Sequence, residues 1–495
     1  MRRQSAVLLC AVALLLTGCQ GFGSSLGSPD QTATPSPTAD EVFTLELDTN
    51  ESDGDDRASE TAPPDPETDV RGWENGVWHN ETLAVTTEDG LNESEREAVV
   101  ARSMARVEFV RELEFERTVP VTVVSREEYR NQSRGGDPGE SLRRFDNAKF
   151  EALFLVGEDR DSIAVQRSQL GSSVLGYYSS SREAIVVVSD AETPTIAEST
   201  LAHELVHALQ DQRFGLDSDA RTRDAIQGRN GLVEGDAVAT TDDYTARCGV
   251  QWECLPSAAG GGGGGDRHFG IGFLLYFPYS DGAGLVEDLR DRGGWAAVND
   301  AYDETPDGAR EVVTPAEYPD WEPRDVTLAD RSTDEWERVR PSTDRARPDY
   351  AVVGPSAIAA TAAYTLADDY NESAVVTQRD VFNYDGNGLD DTDPYNYALP
   401  ATTGWDGGRM HVYTNGSETA YVWRTAWETE ADAAAFARTW TAVLAHWGGT
   451  QTADETWVLA ESSPFTDAVA VHVSGDTVTV VNAPTESELN EVYDA

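Results

Sequence analysis

A formal net charge of −52, from 89 Asp and Glu against 37 Lys and Arg, is the strongest constraint on how this chain can fold. Self-repulsion on that scale opposes any compact state in dilute buffer. In molar salt the Debye length shrinks to about 3 Å and most of the repulsion disappears. The composition therefore reads as a protein built for concentrated salt, with a carboxylate surface that stays hydrated there. Lys149 is the only lysine, and no basic patch exists to neutralise phosphates, which argues against nucleic acid as a partner. Disorder explains the charge in part of the chain only, because 12 Trp, 17 Tyr and 14 Phe supply apolar bulk for substantial cores.

The N-terminus predicts export. Arg2 and Arg3 precede an apolar run over 6–16, well short of the ~20 residues of a membrane-spanning helix. A charged front end before a short apolar run marks a signal segment, here 1–19. The arginine pair suggests the twin-arginine route. The sequence Leu16-Thr17-Gly18-Cys19 resembles the lipobox of exported lipoproteins. That resemblance implies lipidation of Cys19 and a chain anchored by lipid to the outer face of the membrane. Residues 20–72 are Gly, Ser, Thr, Pro and acid with few large apolar groups, the composition of a flexible tether. Cys248 and Cys254 flank Trp252 in a predicted loop, and an exported chain meets oxidising conditions, so a local disulfide is expected. Two thiols at that spacing lack the second pair that a cysteine zinc site needs.

Folded structure is expected from Trp73. Asn92 followed by Glu95 has the form of a capping box ahead of a helix running to Leu113. A strand over 119–124 and a helix over 148–156 follow. Strands over 174–178 and 184–188 make a hairpin, and helices are expected over 195–214 and 231–246. The six-glycine run 260–265 reads as a mobile loop, ahead of an apolar stretch over 269–279 and short helical pieces over 285–292 and 295–302. A charged, Pro-containing linker over 330–349 separates a domain at 73–329 from a second unit at 350–495. The second unit offers a helix at 355–369, paired strands at 411–413 and 420–426, a helix at 430–446 and a closing hairpin. Its order of elements predicts a small α+β module, with Trp405 and Trp423 in its core.

Chemistry concentrates in Ser199-Thr200-Leu201-Ala202-His203-Glu204-Leu205-Val206-His207-Ala208-Leu209-Gln210. The chain has only 7 His, yet two stand four apart with a Glu between them. On a helix His203 and His207 share a face, so their imidazoles can converge on one zinc ion. Glu204 lies about 100° round the helix from His203, where its carboxylate can reach metal-bound water without displacing a ligand. Catalytic zinc takes a third protein ligand. "NGLVEGDAVAT" in the next helix offers Glu234, with Asp236 two residues on.

With these residues the sequence resembles the gluzincin metallopeptidases. The resemblance implies His203, His207 and Glu234 as zinc ligands and Glu204 as general base. Many gluzincins place an Asp four residues after the third ligand, where this chain has Val238. Asp236 is therefore open as an orienting group or as the ligand itself. The segments "FPYSDGAGLVEDLRDRGGWAAVNDAYDE" and "GWDGGRMHVYTNGSETAYVWRTAWETEADAAAFA" look like haloarchaeal surface lipoproteins carrying a gluzincin-like domain. The implied fold is α+β: a mostly helical metallopeptidase domain with an N-terminal strand and hairpin region, then the small module.

The implied partner is a protein or peptide substrate at the cell surface. His268 is the leading candidate to stabilise the oxyanion, with Tyr244 and Tyr276 behind it. Gln210 and Asp211, a turn beyond His207, are expected to support the site or face solvent. A weaker cluster, Asn383, Asp385 and Asn387, opens like a calcium loop but has Pro394 where the loop needs Glu. The rival to hydrolysis is a surface adhesion or envelope-organising lipoprotein that keeps the fold without catalysis. From the charge alone, the purified chain should be folded in concentrated KCl and lose its circular-dichroism signal on dilution to millimolar salt; a fold indifferent to salt would refute this.

Overall fold

The computed structural model describes residues 64–87, 90–133, 137–171, 174, 176–191, 193–255, 268–341, 348–368, 370, 373–386 and 388–493. The export segment, Cys19, most of the tether and the six-glycine run lie outside the described residues. The chain is α+β and divides into two compact units, each assembled from separate stretches of sequence. One comprises Met1–Arg134, Leu170–Arg213 and Tyr244–Gly264; the other comprises Gly135–Gln169, Phe214–Asp243 and Gly265–Ala495.

In the first unit, the helix Glu93–Arg111 starts at the expected capping box. The Asn92 side chain accepts from the Glu95 N–H at 3.1 Å and the Glu95 carboxylate accepts from the Asn92 N–H at 2.9 Å. This helix is buried along most of its length, including Arg102, Arg106 and Arg111. A three-stranded sheet places Ala184–Val188 in the middle. It runs parallel to Val121–Val124 and antiparallel to Gly176–Ser179, so the predicted hairpin forms with Tyr178 opposite Ile185. The central strand reads Ala-Ile-Val-Val-Val and is buried throughout, as β-branched residues flanked on both sides should be. The helix Glu198–Arg213 packs on both the first helix and the strand Gly176–Ser179. Gly215, at φ +78°, supplies the left-handed residue just past its end.

The second unit departs further from expectation. Its helix Arg223–Thr245 begins well before position 231, because the polar residues that read as a link are buried and partnered. Gln227, for example, donates to the Leu274 carbonyl at 2.8 Å. The helix Phe269–Asp300 joins what the sequence divided into an apolar stretch and two short pieces. Gly293 and Gly294 break it where the division was expected, Gly294 at φ +66°. A seven-stranded antiparallel sheet runs in the order Thr450–Ala453, Thr456–Val458, Ala468–Ser474, Thr477–Ala483, Thr419–Trp427, Trp405–Thr414, Glu337–Arg338. The helix Glu430–His446 covers one face, packing Trp440 and Phe436 edge to face against Trp423. Trp405 and Trp423 are both fully buried, as expected.

A single hydrophobic core includes Leu274, Val286 and Trp321 together with Val353, Trp405 and Trp440. The compact units therefore do not divide at 330–349. A charged surface stretch says nothing about whether the apolar faces on either side of it pack together. The calcium-like loop also resolves differently. Asn383 turns its amide nitrogen inward, donating to the Asp393 carbonyl at 3.0 Å and the Tyr395 carbonyl at 3.0 Å. It closes the loop as a pin and presents no carbonyl oxygen through that atom. Asn387 lies outside the described residues.

The helices Arg223–Thr245 and Phe269–Asp300 meet backbone to backbone. A Cβ added at Gly235 would stand 2.0 Å from the Gly282 carbonyl oxygen, and one at Gly282 2.4 Å from the Gly231 carbonyl oxygen. Gly231 and Gly235 are one turn apart, so they form one flat stripe. Rigid backbone cannot yield there. Gly235→Ala should destabilise the protein by roughly 1–3 kcal/mol, read as a lower denaturant midpoint in concentrated KCl; an unchanged midpoint would show that the stripe does not set the spacing.

Candidate metal centre

The histidine helix Glu198–Arg213 is buried on every side from Thr200 to Gln210, which is unusual for a helix that carries so many polar groups. Its N-terminal residue explains how it is held. Glu198 accepts from the buried Arg102 guanidinium at 3.1 Å, and from Arg106 and the Tyr244 hydroxyl. It also accepts from the Leu255 N–H at 2.7 Å. Arg106 in turn stacks on Trp252 at 4.8 Å and donates to the Glu253 carbonyl at 3.1 Å. Trp252 and Glu253 belong to the loop closed by the Cys248–Cys254 disulfide, whose Cα atoms are 5.4 Å apart. The disulfide thus fixes the loop that clamps Arg106, and Arg106 fixes the start of the helix. Nothing local in the sequence announces this cluster, since buried Arg looks like surface Arg.

One turn along, His203 and His207 are fully buried and their rings meet edge to face at 4.9 Å between centroids. His207 Nδ1 lies 2.8 Å from Gln210 Oε1. A carboxamide oxygen only accepts, so Nδ1 carries the proton and Nε2 keeps its lone pair. Gln210 is therefore a supporting group, one of the two roles its spacing allowed. Glu204 is also buried, and its Oε2 accepts from the Tyr178 backbone N–H at 2.8 Å. Tyr178 lies on the edge strand Gly176–Ser179 and its hydroxyl donates to Asp211 at 2.7 Å. The edge strand therefore holds the helix twice, once through Glu204 itself.

Glu234 is buried on the helix Arg223–Thr245. His203 and His207 belong to the first unit and Glu234 to the second. Two neutral imidazoles and a carboxylate are the donor set zinc favours; an all-oxygen set would suit calcium or magnesium. Asp236 lies on the same helix as Glu234. Its carboxylate accepts from the Tyr302 hydroxyl at 2.8 Å and from Thr240 at 3.4 Å.

The oxyanion candidates are engaged elsewhere. His268 caps the helix Phe269–Asp300, its Nδ1 accepting from the Ile271 N–H at 3.2 Å, and its ring packs on Tyr364 at 4.5 Å. Burial, with the Arg160 charge adding to it, lowers its pKa to about 4, so it is a neutral helix cap. The Tyr244 hydroxyl is bonded to Glu198, and Tyr276 stacks on Tyr279 and meets Tyr395 edge to face. The Glu198 cluster carries its own test. Glu198→Gln leaves two buried guanidiniums short of a counter-charge, which should cost about 3–5 kcal/mol; a loss under about 1 kcal/mol in chemical denaturation would mean that the pair is solvated.

Residues 337–493 match the family described as Domain of unknown function (DUF8575). The match begins inside the stretch 330–349 that the sequence reads as a linker. No curated protein and no solved structure matches the chain.

Proposed function

We propose that this protein is a zinc-dependent peptidase of the gluzincin type, carried on the outer face of the cell membrane by a lipid on Cys19. The observation that supports it most is the buried pair His203 and His207, one helical turn apart, with the carboxylate of Glu204 held beside them by a backbone N–H. Burial of this many polar groups costs stability, and a purely structural helix gains nothing from it.

His203 and His207 would hold the ion through ring nitrogens and Glu234 through a carboxylate oxygen. When bound, zinc lowers the pKa of its water and polarises the carbonyl to be cleaved. Glu204 then does the proton work. With Oε2 held by Tyr178, Oε1 takes the proton from the attacking water and later delivers it to the leaving amine. Gln210 keeps the His207 ring in the tautomer and orientation that ligation needs. The substrate is an exposed segment of a surface or extracellular protein, the class that an outward-facing anchor brings within reach.

Glu204→Gln keeps the shape and removes the base. The variant should lose peptide hydrolysis by about a thousandfold while its zinc content, measured by atomic emission in concentrated KCl, stays at the wild-type value. Undiminished hydrolysis with zinc retained would overturn the mechanism. A wild-type protein that purifies without zinc and ignores chelators would favour a role in surface adhesion.

A further inference from the structure

A second group of donors lies within the larger unit, away from any histidine. Glu151 ends the helix Glu140–Ala152, Glu158 follows in the next turn, and Asp467 precedes the strand Ala468–Ser474. One carboxylate oxygen from each lies within 4.8 Å of the other two. Glu151 is buried and Glu158 is exposed, so the group has an inner wall and an open rim. The rim is pinned. Glu158 donates its N–H to the Pro464 carbonyl at 3.1 Å and accepts from the Thr466 N–H at 2.6 Å.

Asn482 points to what the group holds. It is 3% exposed, and its amide nitrogen donates to Asp467 at 2.9 Å, which turns the carboxamide toward the cluster. The oxygen of the same carboxamide is buried with no hydrogen-bond partner. A buried carbonyl oxygen without a donor is costly, and a cation beside it removes that cost. We propose that Glu151, Glu158 and Asp467, with the Asn482 carboxamide oxygen, form a calcium site. The donor set is oxygen alone, and a span within 4.8 Å suits ligands on opposite sides of an ion with bonds of about 2.3–2.6 Å. Magnesium, with shorter bonds and tightly held waters, fits a dedicated protein cage less well.

The electrostatics agree. Burial raises the Glu151 pKa well above the carboxylate range, and Asp467, Glu158 and Glu418 push it in the same direction. Asp467 is raised to about 7, by burial first and then by Glu158. The leading charged groups acting on this pair are all acids. A calcium ion there fastens the end of the helix Glu140–Ala152 to the start of the strand Ala468–Ser474, an ionic staple inside the unit matched in part by DUF8575. Unlike the histidine group, it takes no part in hydrolysis.

Terbium(III), a luminescent stand-in for calcium, tests this on the full chain in concentrated KCl. The Tyr421 ring, buried next to these acids, can sensitise its emission. One saturable site that calcium displaces is expected, weakened at least about tenfold in Glu158→Gln, and calcium should raise the melting temperature of the wild type but not of that variant. Glu158 is exposed, so its substitution leaves the fold intact; Asp467→Asn is the second variant, expected to behave alike. Equal terbium affinity in wild type and both variants, or a melting temperature that calcium raises equally in all three, would overturn the site.

Discussion

Burying an acid is the problem this chain must solve repeatedly, with 89 carboxylates and only 37 basic side chains. A desolvated carboxylate needs a counter-charge, a set of N–H donors, a proton or a metal. The first two solutions are seen directly. Glu198 takes two arginines. Asp146 takes Lys149, the only lysine, with Ser162 and Gln166 donating to its other oxygen at 2.8 and 2.9 Å. Glu204 takes a backbone N–H. Glu151 and Asp467 sit against each other with acids around them.

On this view the proposed metal centre is one member of a series and not an isolated motif. The histidine helix is buried because its start, its central carboxylate and one imidazole are held: Glu198 by the arginines, Glu204 by the edge strand, His207 by Gln210. Each of these groups costs stability unless its partner is in place, so the set is either complete or strongly unfavourable. That coupling fixes side-chain geometry to the accuracy that chemistry at a metal requires.

Much of this was legible where the signal is local. The capping box at Asn92, the hairpin ending at Val188, the histidine helix with its stop at Gly215 and the Cys248–Cys254 bridge are all set by residues close in sequence. Features that depend on distant partners were not. The helix Arg223–Thr245 was shortened because Asp224, Gln227 and Arg229 look solvated, although all three are buried. The boundary at 330–349 was drawn on surface composition, and a shared core crosses it. The Glu198 cluster left no trace, since residues about a hundred apart in sequence carry no common pattern. His268 was a reasonable oxyanion candidate by chemistry alone; its role as a helix cap depends on a fold that its neighbours do not encode.

The central proposal is that His203, His207 and Glu234 bind one zinc ion. X-ray absorption at the zinc edge, on the full chain purified in concentrated KCl, tests it most directly. The account predicts one zinc per chain with two imidazoles and oxygen ligands at about 2.0–2.1 Å, and loss of the imidazole signature in His203→Ala. No zinc, or zinc ringed by carboxylates alone and unaffected by that substitution, would contradict it.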